Sequence, residues 1–219
     1  IHSLIDRDQL IKEWQVEGQA KVMLKDARTK AKFNDFMMHW LDLKNKELPT
    51  ISPKKYPKFN TGLALDLRRS LLSWVEKSVW EKNISWQEFL RMDHIQVNER
   101  IAKFYEMPYP AENNSSGFVE LNASVIGHGG LFTHPYILAS HSYPEESSPI
   151  HRGVFTARKI LGRTLRPPTV AVSFKNADFN PNWTMRQKVT ELTRSANCMS
   201  CHDQINSSGF VLENFDATG

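Results

Sequence analysis

Asn197-Cys198-Met199-Ser200-Cys201-His202 is the most informative stretch of the 219-residue chain. Two cysteines spaced C-x-x-C with His directly after them have the layout of a c-type haem attachment site. On one helical turn, thiols three positions apart reach the two vinyl groups of a single porphyrin, which brings the adjacent imidazole under the iron as proximal ligand. Cys198, Cys201 and His202 are therefore the candidate cofactor-binding residues for one covalent haem c, with His202 also a metal ligand. The surrounding fold should then be a small, loop-rich, helical haem domain of the cytochrome c kind.

Three other readings stand beside this one. These are the only two cysteines in the chain, so a structural zinc site would need two further ligands from distant His, Asp or Glu. A thioredoxin-like redox pair wants a buried apolar strand running into a helix that starts at the first Cys, whereas residues 184–194 read as a polar amphipathic helix. A plain disulfide or coincidence is the third. Covalent haem attachment takes place outside the reducing cytosol, so the haem reading places the chain in the periplasm or another exported space.

Working outward from the motif, residues 1–107 read as an all-α domain. Residues 7–43 carry two helical patterns, a loose one through Leu10, Trp14, Val22 and Leu24 and a tighter one through Phe33, Phe36, Met37, Trp40 and Leu41; the two should pair antiparallel. Pro49, Pro53 and Pro57 break the pattern. Asn60 or Thr61 then caps a long helix to about Glu81 through Leu63, Leu67, Leu71, Trp74, Val75 and Val79. Ser85 and Glu88 form a capping box for a short helix to Met92, and Asn98 opens another through Ile101, Ala102 and Tyr105.

Residues 108–117 are a Pro-, Asn- and Ser-rich linker, and 118–219 form the haem domain. In it, 118–125 allow one short strand, 127–130 a glycine-rich loop, and 150–161 a helix stopped by Gly162, with an extended connection starting at Pro167-Pro168. The predicted class is mainly α.

Composition narrows the function. Lys and Arg exceed Asp and Glu by 28 to 24, an excess too small and scattered for a nucleic-acid partner. No apolar run reaches the roughly 20 residues of a membrane span, and the N-terminus has neither a starting Met nor a signal layout, which suggests a processed or excerpted soluble chain.

Several segments together resemble one family, the large c-type cytochromes abundant in planctomycetes that are built from consecutive domains of unassigned function. The resemblance rests on residues 97–105 (VNERIAKFY), 130–134 (GLFTH), 148–155 (SPIHRGVF) and 161–168 (LGRTLRPP). It ends with Cys198-Met199-Ser200-Cys201-His202 followed by residues 209–219 (GFVLENFDATG), its most specific block. It implies an exported, mainly helical cytochrome, with further domains of a larger parent protein around this chain, which would be truncated at its C-terminus. No activity comes with it.

A second axial ligand is the remaining question. His128, His134, His141 and His151 cluster just ahead of the motif. His134, held extended by Pro135, is the expected second ligand, with His151 as runner-up; Arg152 suits a haem propionate. With two protein ligands the module is an electron carrier serving a redox partner protein. With an open distal site, and one of His128, His141 or Arg152 acting on bound oxygen species, it would be a peroxidase or oxidase component.

Overall fold

Asn60 sets the central helix of the molecule. In the computed structural model, which describes residues 2–5, 7, 9–82, 84–91, 93–110, 117–165 and 179–219, the Asn60 side chain accepts from the Leu63 amide and opens a helix Thr61–Glu76. Its stripe of Leu63, Leu67, Leu71, Trp74 and Val75 is buried. The helix ends five residues before the expected Glu81, and a π-helical turn Lys77–Glu81 carries the chain that far.

In chain order the helices are α1 (His2–Ile5), α2 (Glu13–Leu24), α3 (Ala27–Trp40), α4 (Thr61–Glu76), α5 (Trp86–Arg91) and α6 (Glu99–Phe104). There follow α7 (Pro135–Ser140), α8 (Pro149–Phe155), α9 (Met185–Leu192) and α10 (Ala196–Phe210). The molecule is mainly α, and most helix starts follow local chemistry. Ser85 and Glu88 close the capping box at α5, Asn98 accepts from Ile101 at α6, and Thr184 with Gln187 boxes α9.

Three expectations are corrected. Residues 1–107 are not all helical: β1 (His94–Val97) pairs antiparallel with β2 (Val119–Asn122), His94 facing Asn122 and Val97 facing Val119. Ile95 and Val97 are β-branched and buried against α4, so the tertiary contact overrides a segment too short to announce itself. The loose stripe of α2 stays outside the core: Trp14 is 67% exposed and Val22 63%. From residues 7–43 the buried core takes Met37 and Met38 of α3 and, just beyond that helix, Leu41 and Leu43. Finally, the helix over 150–161 is α8 followed by a π-helical turn Thr156–Ile160, stopped by Gly162 at φ +63°. Pro167-Pro168 lies outside the described residues.

One buried cluster draws on both sides of the 108–117 stretch, from Met37 to Ala217. A chain of rings crosses it: Trp74 on Phe89 at 4.7 Å, Phe89 on Trp86 and Trp86 on Trp40 at 5.4 Å, Trp40 on Phe132 at 6.0 Å. Trp40 Nε1 donates to the Lys159 carbonyl, and Tyr105 Oη to that of Thr218. These contacts hold the C-terminal helices, and with them the cysteines, against the N-terminal half.

Candidate functional site

Ser195 starts α10: its hydroxyl accepts from the Cys198 amide at 3.4 Å. Cys198 and Cys201 stand one turn apart on the first turns of this helix, both half-buried and unpaired, with half-buried His202 next to them. His202 Nδ1 lies 3.0 Å from Asn206 Oδ1, Asn206 Nδ2 is 2.9 Å from Thr193 Oγ1, and Thr193 Oγ1 donates to the Val189 carbonyl at 2.8 Å. Among the described residues, His202 Nε2 joins no hydrogen bond.

The seat of α10 is set by α8. A methyl at Gly153 would lie 2.1 Å from the Ile205 carbonyl, and one at Gly209 1.9 Å from that of Pro149. Only hydrogen fits at the two places where the backbones cross.

His134 is not near this arrangement in its bonding. It is 5% exposed; Nδ1 accepts from the Tyr136 amide at 3.2 Å, capping α7, and Nε2 stands 3.2 Å from Ser70 Oγ on α4. Ser70 in turn donates to the Gln96 carbonyl, so its free lone pair takes a proton from His134 Nε2. Burial, with His128 adding to it, holds the imidazole neutral, its pKa pushed down to about 3. Ligation through Nδ1 would cost this imidazole its Tyr136 bond, and ligation through Nε2, with the proton moved to Nδ1, would cost both bonds. In this structure His134, the expected second ligand, links α7 to α4.

Arg152 is also engaged within the fold. The guanidinium is 1% exposed and donates to the carbonyls of Leu212 at 2.8 Å, Phe215 at 2.7 Å and Asp216, and to Ser142 Oγ at 2.9 Å. Glu213 lies 3.6 Å away. The residue fastens the turns after α10.

Two other histidines meet elsewhere. His141, with Nδ1 donating to the Ile137 carbonyl at 2.8 Å, lines a cleft of about 280 Å³ together with His151, Asp42, Lys46 and Lys159. Burial and Lys46 push the His141 pKa down to about 4. His128 Nδ1 donates to the Ile126 carbonyl, its ring 4.5 Å from that of Phe215.

The structure thus places Cys198, Cys201 and His202 side by side on α10, while among the described residues the hydrogen bonds of His134 and Arg152 go to other groups. Asn206 and Thr193 were not singled out from the sequence. Asn206 stands four positions after His202, a spacing at which helical side chains meet, and that is the signal available for it.

Comparison with known families agrees with the order of these segments. Residues 1–107 match PSD4, a protein of unknown function (DUF1592), and residues 128–219 match PSCyt3, a protein of unknown function (DUF1588). The stretch similar to DUF1592 precedes the stretch similar to DUF1588. Both are families associated with planctomycete-type cytochromes. The stretch that matches DUF1588 carries all the candidate residues, from His128 to the Arg152-bound turns. No curated protein and no solved structure matches the chain. Among the described residues, no helix is long and apolar enough to cross a membrane.

Proposed function

We propose that the DUF1588 segment binds one haem c covalently and exchanges electrons with a redox partner protein, in the periplasm or an equivalent exported space, as part of a larger parent protein. The observation that carries this is the donor set on α10: two unpaired thiols one turn apart, and an imidazole whose Nδ1 is engaged while Nε2 is left for a metal. Each thiol would add S–H across one vinyl group, and His202 Nε2 would ligate the iron. Haem held this way supplies a reversible one-electron couple between ferric and ferrous iron.

The protein's own part is to hold these three groups still. The Ser195 cap fixes the first turn of α10, and the glycine crossings at 153 and 209 fix the helix against α8. An imidazole anchored through Nδ1 cannot rotate away from the face it presents.

The test is a pyridine haemochrome count on the purified intact protein, with a haem stain of a denaturing gel. One haem per chain is expected, and none on the gel for Cys198→Ala combined with Cys201→Ala. Haem retained by that double variant would overturn the assignment. A high-spin ferric spectrum in the parent would move the function from carrier to the haem enzyme with an open distal site.

A further inference from the structure

We infer that Thr193 and Asn206 are positioning residues that select the tautomer of His202 and set the potential of the centre, an inference that rests on the haem reading above. The direction of each bond follows from donor capacity. The Thr193 hydroxyl spends its single proton on the Val189 carbonyl, so toward Asn206 it can only accept. The Asn206 NH2 must therefore face Thr193, which turns its carbonyl toward His202. A carbonyl only accepts, so the proton of the neutral imidazole sits on Nδ1. The lone pair is left on Nε2, the form that bonds a metal without first losing a proton.

The relay is built rather than incidental. Thr193 is 3% exposed and Asn206 8%, so an unpaired polar group at either position would be costly. The Val189 carbonyl at its head belongs to the last turn of α9, where helix carbonyls carry a partial negative charge. The whole chain of bonds therefore draws the Nδ1 proton outward and makes Nε2 more basic. A more basic axial ligand favours ferric over ferrous iron, which lowers the reduction potential.

Two measurements test this. In the chain without haem, nitrogen NMR of the His202 ring should show Nδ1 protonated and Nε2 bare, with the second tautomer appearing in Asn206→Leu. In the haem-loaded intact protein, Asn206→Leu should raise the potential and Asn206→Asp, which puts a full charge at the acceptor, should lower it. Each is expected to change the ferric-to-ferrous preference by about tenfold, which is about 59 mV for one electron. Thr193→Val should shift in the same direction as Asn206→Leu, and Thr193→Ser, which keeps the hydroxyl, should restore the parent value. Should Asn206→Leu not fold, the Asp and Thr193 variants carry the same contrast. A parent ring protonated on Nε2, or Leu and Asp variants that carry full haem and do not move in opposite directions, would overturn the inference. Absence of haem from the parent would instead sink the haem reading and leave the tautomer measurement standing.

Discussion

Acid should unfold this protein through His134 in a calculable way. In the unfolded chain this imidazole takes a proton below about 6.5, whereas in the fold it does so only below about 3. As pH falls below 6.5, the unfolded state binds the proton first, so the contribution is fully present above that value and is lost progressively down to about 3. Each unit of separation is worth about 1.4 kcal/mol, so lowering the pH to about 5 removes about 2 kcal/mol of stability through this residue alone. The structural origin is an imidazole enclosed between α7 and α4 with Ser70 and His128 beside it, where no anion can pair with the charged form. His141, pushed down to about 4, and His128, also lowered, add losses of the same sign, so the parent's total will exceed this share. His134→Asn isolates it. The Asn carbonyl can still cap the Tyr136 amide, and the variant should lose about 1 kcal/mol at neutral pH for the missing Ser70 bond. Urea unfolding followed by tryptophan fluorescence at pH 7 and about pH 5 should then show the variant losing about 2 kcal/mol less than the parent between the two. Equal losses would refute the reasoning.

Other expectations concern packing and caps. Gly209→Ala places a carbon against the Pro149 carbonyl and should cost about 2 kcal/mol in urea unfolding, net of the helix propensity gained; Gly153→Ala should behave alike. Arg152→Met strands three carbonyls and leaves the Glu213 carboxylate without its cation, for a loss of about 4 kcal/mol in the same assay, part of which Glu213→Gln should restore in the double variant. Asn60→Ala should cost about 1 kcal/mol and lower the Tm, since the Leu63 amide loses its acceptor.

What the sequence discloses here is what lies within one helical turn. Asn60, Ser85 with Glu88, Asn98 and Thr184 each announce a helix start because a cap is a contact over three residues, and the structure places all four at helix starts. The Cys198 to His202 spacing is legible for the same reason. Long-range relations are not. His94–Val97 is four residues whose partner starts at Val119, beyond α6, and nothing in its own pattern names that partner. The stripe on α2 has helical period without a neighbour to bury it, so periodicity alone overstated its packing. His134 and Arg152 were weighed by their neighbours in sequence, but the groups that decide their roles are Ser70, 64 positions away, and the Leu212 and Phe215 carbonyls, 60 and 63 away.

The Arg152 clasp also orders events in time. Its bonds to Leu212, Phe215 and Asp216 close loops of 60 to 64 residues, and a contact of that span forms only after its closure entropy has been met by structure already in place. α8 and α10 must dock before the guanidinium finds its carbonyls, so the turns after α10 join late in folding. A haem bonded to Cys198 and Cys201 would therefore be carried on a helix whose far end is clasped only after the helix itself has docked.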